Sequence, residues 1–147
     1  MVKEDIIRTR LTLLEGYIDE LRALQPTDFQ TYEENYLIHR TVERCLHLAT
    51  ETCLDVGQHI IADDGLRPAV DNKDVFNVLG ECDILVPDQV GALTNMARFR
   101  NLIVHDYARV DNAIVYAILQ HHLNDFTAFA ESVLAYLARS SDAQNLP

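Results

Sequence analysis

Ile38-His39-Arg40-Thr41-Val42-Glu43-Arg44-Cys45-Leu46-His47-Leu48-Ala49-Thr50-Glu51-Thr52-Cys53-Leu54-Asp55-Val56-Gly57-Gln58-His59-Ile60 is the stretch on which the fold turns. Ile38, Val42, Cys45, Ala49, Cys53, Val56 and Ile60 recur every three or four residues, the period of a helix with one apolar face. No proline interrupts the segment from Phe29 to about Ala62, so it reads as one long helix. Cys45 and Cys53 fall on the stripe, where cysteine behaves as a small apolar residue.

The same period extends in both directions. Upstream, Ile6, Leu13, Leu14, Tyr17, Ile18 and Leu21 predict a helix from about Lys3 to Leu24, ended by Gln25-Pro26. Thr27-Asp28-Phe29-Gln30 has the form of a capping box for the long helix, with Thr27 as the cap. Downstream, Asp63-Asp64-Gly65-Leu66-Arg67-Pro68 is a loop. Asp71 caps a short helix from about Asn72 to Leu79, with Gly80 beyond its end. Pro87 opens a fourth helix that turns Val90, Leu93, Met96, Phe99 and Ile103 inward. Asp111 caps the last helix, with the stripe Ile114, Ile118, His122, Phe126, Phe129, Val133 and Leu137. Repeats, low-complexity tracts and strand patterns are absent from the sequence. The expectation is an all-α protein: an antiparallel bundle of about five helices in one domain over residues 1–139, with a polar tail at 140–147.

Composition agrees. A chain of 147 residues with only 5 Gly and 4 Pro has few turns and enough length to bury a core. Its apolar runs are far too short to span a membrane. The acidic start, followed by Arg8 and Arg10, does not resemble a signal peptide. The 3 cysteines include no Cys-x-x-Cys pair, and a reducing cytoplasm is the expected compartment. The formal net charge of −11 repels a polyanion taken as a whole. Between Arg98 and Arg109, however, lie three arginines and a single acid, Asp106, which allows a local positive pocket.

That pocket falls in Arg100-Asn101-Leu102-Ile103-Val104-His105-Asp106-Tyr107. On a helical wheel Thr94, Arg98, Asn101 and His105 share a stripe opposite Met96, Phe99 and Ile103, so Asn101 and His105 can touch. Arg100 and Tyr107 share a second line on the flank. Arg100 and His105 lie about 140° apart on an ideal helix. They act on one substrate only if the helix unwinds near His105 or if two copies meet across a dimer, and the apolar shoulders Leu102 and Val104 favour the dimer. An arginine and a histidine suffice to cleave RNA without a metal. Histidine takes the 2′-hydroxyl proton, arginine stabilises the phosphate, and a 2′,3′-cyclic phosphate results. Plainer roles exist for each. A histidine near a helix C-terminus complements the dipole, a helical arginine is commonly a solvated surface group, and Tyr107 can be a half-buried core aromatic. His121-His122 lacks the spacing of a zinc site and reads as packing, with His122 on the apolar stripe. His39 and His47 read as surface.

Phe99-Arg100-Asn101 through His105-x-Tyr107, with the acidic cap Asp111, resembles the signature of HepT-like proteins of the HEPN superfamily. Val42-Glu43-Arg44, Leu54-Asp55-Val56-Gly57-Gln58-His59-Ile60-Ile61 and Leu85-Val86-Pro87 extend the resemblance over nearly the whole chain. The resemblance implies a homodimeric toxin of a type VII-like toxin–antitoxin pair, acting as a metal-independent ribonuclease on tRNA or mRNA. Arg100 and His105 are then the catalytic pair, with Asn101 and Arg98 supporting at the substrate. The implied partner is a small MntA-like nucleotidyltransferase antitoxin, which uses ATP to place AMP on Tyr107. No cofactor, metal or membrane is implied for the chain itself. From another class, a non-catalytic helical module that binds and regulates a nucleotidyltransferase fits the acidity. A purely structural dimerisation bundle is a third reading.

Overall fold

The computed structural model describes residues 3–144. Over that range the chain forms α1 (Glu4–Leu24), α2 (Phe29–Glu34), α3 (Tyr36–Asp63), α4 (Asn72–Glu81), α5 (Pro87–His105), a 3₁₀ turn (Tyr107–Arg109), α6 (Asn112–His121) and α7 (Leu123–Gln144). The expected all-helical class is what forms, and α3 is its centre, packed against every other α-helix. Its stripe is buried at Val42, Cys45, Ala49, Cys53, Val56 and Ile60, with Leu46, Leu54 and Ile61 beside them. Each large apolar side chain buried there contributes about 1.5–3 kcal/mol relative to exposure.

Direction comes from side-chain pairings. The Lys3 amide reaches Asp63, Arg10 pairs with Asp55, and Cys45 lies 3.2 Å from Glu20. One residue number rises as the other falls, so α1 and α3 are antiparallel. Gly57 is where α4 comes closest: a Cβ there would stand 2.4 Å from Val75 Cγ1, so any larger residue forces the helices apart. Arg67 ties the intervening loop down. It forms a fork with Asp74 at 2.7 and 3.0 Å and a second with Glu81 at 2.9 and 2.8 Å.

The structure departs from the five-helix expectation at three places. The long second helix is broken at Asn35, whose side chain accepts from the amides of Leu37 and Ile38 at 3.0 and 3.3 Å and so starts α3 afresh. The residues before it form α2, capped by Asp28 rather than Thr27, since Asp28 takes the Thr31 amide at 2.9 Å. The break lets Tyr32 turn into the core against Tyr116 of α6, with ring centroids 5.3 Å apart. The last helix is interrupted at His122, which is not packed. Its ring is half-exposed and lies 3.1 Å from Asp125, at the start of α7.

Two stripes are also rephased. In α1 the buried positions are Ile7, Leu11, Leu14, Ile18 and Leu21, while Leu13 is exposed. In α6 they are Val115 and Leu119, while Ile114 faces solvent. Each segment carries two neighbouring apolar series at helical spacing, and the packing partner selects one. Finally, α7 continues to Gln144, past Arg139 where a polar tail was expected, and residues 145–147 of that tail lie outside the described range. Among the described residues no helix is long and apolar enough to cross a membrane.

Candidate active site at the end of α5

α5 is oriented by its own start and its buried face. Pro87 occupies the first turn, and Gln89 accepts from the Val86 amide at 2.9 Å while donating to Ser132 of α7 at 2.8 Å. Leu93, Met96, Ala97 and Phe99 are buried, which leaves Arg100 on the shoulder facing α3. There its Nε donates to the Glu51 carboxylate, and one terminal nitrogen donates to Asn101 Oδ1 at 3.1 Å. The Arg100 side chain is only 18% exposed, so this pairing holds its guanidinium in one place.

Glu51 joins a longer polar chain. His47 Nε2 lies 3.4 Å from Glu51, and His47 Nδ1 lies 3.3 Å from an Arg44 nitrogen. A proton on Nε2 satisfies both contacts with one tautomer. His47, expected at the surface, is thus half-buried beneath the motif. Glu51 and His47 were not legible as site residues. Their spacing of four on α3 is a weak helical signal, and only the packing of α5 across α3 brings them to Arg100.

His105 is the last residue of α5. It is exposed and, among the described residues, has no hydrogen-bond or ion-pair partner. Asn101 does not touch it as the wheel suggested, because its side-chain oxygen is taken by Arg100. Within one chain Arg100 is turned to α3 and His105 to solvent, on different faces of the helix. Arg98 is exposed and donates to Asn95 at 3.0 Å, and Arg109 pairs with Asp106 at 3.1 Å. Of the three arginines of the motif region, Arg100 is paired with Glu51 and Arg109 with Asp106, so the expected local positive pocket is largely offset within one chain.

Beyond His105 the helix unwinds. Asp106 leaves helical geometry at φ −151°, ψ 54°, and the chain turns through the 3₁₀ segment. Tyr107 therefore quits the line it would share with Arg100 on a continuous helix. Its hydroxyl donates to Glu43 of α3, 2.6 Å from one carboxylate oxygen and 3.1 Å from the other. Glu43 is only 5% exposed, whereas Tyr107 is 49% exposed. The hydrogen bond to Glu43 pushes the phenol above its ordinary pKa, burial and the carboxylate charge add to this, and Arg40 nearby opposes it. A groove of about 560 Å³ opens elsewhere, between α1 and α7, and none of the motif residues lines it.

An all-helical bundle with an anchored arginine and a free histidine at one helix end belongs to the HEPN-like class of helical folds. The chain belongs to the ribonuclease HepT-like family, whose model matches residues 14–133. It is similar to the tRNA nuclease HepT of Aphanizomenon flos-aquae, with 26% identity over 132 residues and 90% of each chain covered. It is also similar to the mRNA nuclease HepT of Shewanella oneidensis, with 26% identity over 131 residues, covering 89% of this chain and 98% of the relative. Among solved structures, the tri-AMPylated Shewanella oneidensis HEPN toxin in complex with MNT antitoxin superimposes with a TM-score of 0.83 at 26% identity, covering 89% of this chain and 98% of that one.

Proposed function

We propose that this chain is the ribonuclease toxin of a toxin–antitoxin pair, cleaving RNA through Arg100 and His105 without a metal. The observation that carries the reading is the division of labour on α5: Arg100 is fixed by Glu51 and Asn101, while His105 at the helix end is unengaged and open to solvent. A fixed cation suits a phosphate that gains charge in the transition state, since no reorganisation is then needed. An exposed, unengaged imidazole suits proton transfer. In the proposed step His105 takes the 2′-hydroxyl proton, and the 2′-oxygen bonds to phosphorus. The 5′-oxygen leaves with a proton from solvent or a second acid, giving a 2′,3′-cyclic phosphate. Arg98 lends charge along the strand. The two faces of α5 meet in a homodimer, in which His105 of one copy lies over Arg100 of the other. Exposed Val104 supports an interface there. The names of the two nuclease relatives support RNA as substrate, tRNA or mRNA.

Silencing is proposed to take the form named in the Shewanella complex. A nucleotidyltransferase antitoxin transfers AMP from ATP to Tyr107, which lies half-exposed on the turn after α5. Phosphates added there repel the RNA backbone. The rival reading, a non-catalytic module that regulates the nucleotidyltransferase, is favoured by the net charge of −11.

Purified, unmodified protein incubated with total tRNA and an mRNA in EDTA decides between them. Cleavage that survives the chelator and falls at least about 100-fold in His105→Ala is expected, a loss in the range of general-base removal. The exposed His105 side chain has no hydrogen-bond or ion-pair partner among the described residues, so thermal stability is expected to change by no more than a helix-dipole contribution. Intact RNA in both samples, with Tyr107 shown unmodified by mass spectrometry, moves the regulatory reading ahead.

A further inference from the structure

Glu43 has no part in the RNA chemistry proposed above, yet it is the most buried carboxylate among the described residues. It lies on α3 with 5% exposure, among Val42, Leu46 and Tyr32, which are fully buried. A charge so placed is costly unless it is used or paired. Its hydrogen-bond partner is the Tyr107 hydroxyl, which bridges both of its oxygens at 2.6 and 3.1 Å. Tyr107 is the reverse case. Its ring is half-exposed, it sits on the short turn after α5, and its hydroxyl faces inward to Glu43. A third group completes the set. Arg40, one turn before Glu43 on α3, is exposed, lies over the Tyr36 ring at 5.3 Å, and acts on the same Tyr107 hydroxyl. The buried Tyr32 hydroxyl, with no hydrogen-bond partner, borders the same cluster and feels both Glu43 and Tyr107.

A nucleophile, a buried base in contact with its proton, and a solvent-facing cation form the arrangement that activated-hydroxyl chemistry requires. We infer that Glu43 is the general base for transfer of a nucleotidyl group to Tyr107, so that the chain carries part of the catalytic apparatus for its own modification. The inference rests on the proposed AMP transfer. In the step, the Tyr107 Oη–H proton passes to Glu43 as Oη bonds to the α-phosphorus of a nucleoside triphosphate. The bond from that phosphorus to the bridging oxygen breaks, and pyrophosphate leaves. Arg40 faces the incoming phosphates and takes up part of their charge. The partner then needs to deliver and orient ATP but need not supply the base.

The same geometry governs the modified state. The product has no phenolic hydrogen to donate, and it places a phosphodiester charge beside the buried carboxylate. Tyr107 is then driven off Glu43 and outward.

Glu43→Gln separates the base from a structural prop. The amide oxygen still accepts the Tyr107 hydroxyl and keeps the phenol in place, but it cannot take a proton at neutral pH. Wild type, Glu43→Gln and Glu43→Asp are each mixed with the partner nucleotidyltransferase and ATP. Tyr107 adduct is monitored by mass spectrometry, alongside partner affinity and thermal midpoints. Expected is a fall of about 100-fold in the transfer rate for Glu43→Gln with unchanged affinity, partial recovery in Glu43→Asp, and a Glu43→Gln rate that climbs with pH as hydroxide substitutes for the base. Transfer to Glu43→Gln at the wild-type rate overturns the inference and leaves the AMP-transfer reading standing. Wild type that takes no AMP at Tyr107 overturns both. If Glu43→Gln fails to fold, Glu43→Asp alone decides: a wild-type rate with the shortened carboxylate withdrawn from the hydroxyl counts against a base in contact.

Discussion

At the scale of single residues, the surprise is how firmly Arg100 is held. A motif arginine met in sequence is a free cation. Here its guanidinium is engaged by Glu51 and Asn101 and is mostly out of solvent. Such an arginine is pre-aimed, which matters because catalysis rewards interactions already in place when charge develops. If Arg100 acts as proposed, Glu51 is its positioning residue. Glu51→Gln is expected to lower kcat about tenfold, some 1.4 kcal/mol in the barrier, with KM for RNA nearly unchanged or lower. Steady-state kinetics at fixed salt reads the split, and an equal rise in KM with kcat constant would assign Glu51 a binding role instead. Arg100, His105 and Tyr107 stand out in the sequence because their types and order match a chemistry. Glu43, Glu51 and His47 do not, because each is one acid or imidazole among many on a helix and acquires meaning only from the side chains that pack over it.

At the scale of elements, breaks and clamps matter more than helix content. Asn35 and His122 each divide what periodicity joins. Asn35 offers a side-chain acceptor to a new helix start, and His122 stands at the junction with Asp125. The segment between α3 and α4 is held by the Arg67 fork to Asp74 and Glu81. Arg67 holds the Asp74 carboxyl far below the aspartate range, with the Val70 amide adding to the effect, and lowers Glu81 as well. Both carboxyl pKa values are depressed on folding. The stabilisation is therefore complete above their unfolded values and fades as pH falls through the folded ones. Urea midpoints of wild type and Arg67→Ala should differ most above about pH 5 and converge as pH drops below about 4. A gap that stays constant down to about pH 2.5 would show that Arg67 contributes through its packing rather than through its pairing with Asp74 and Glu81.

At the scale of the whole molecule, the motif face and the acidic body pull in opposite directions. The chain carries 23 acids against 12 lysines and arginines, so the proposed binding of RNA has to rely on local positive charge at the motif. Within one copy Arg100 and His105 are turned apart, and a second copy is proposed to bring them together. Val104→Asp, which puts a charge on the exposed shoulder between them, is expected to convert a dimer to a monomer in light scattering and to abolish cleavage together with it. A variant that remains dimeric and active would remove α5 from the interface.

The sequence by itself determined the helical class, the apolar stripe of the long helix, the starts at Asp71, Pro87 and Asp111, and the motif residues proposed to carry the chemistry. Periodicity, caps and motif spacing are local properties, and helices obey local rules. Tertiary structure alone decided which of two neighbouring apolar stripes in α1 and α6 turned inward and how α5 and the turn after His105 lie against α3. It also decided that Tyr107 finds Glu43 and Arg100 finds Glu51. These are contacts between residues 64 and 49 positions apart, and no local pattern encodes them. They exist because α5 and the turn after it lie across α3, and the energy of burying that face fixes the register at which the polar groups meet.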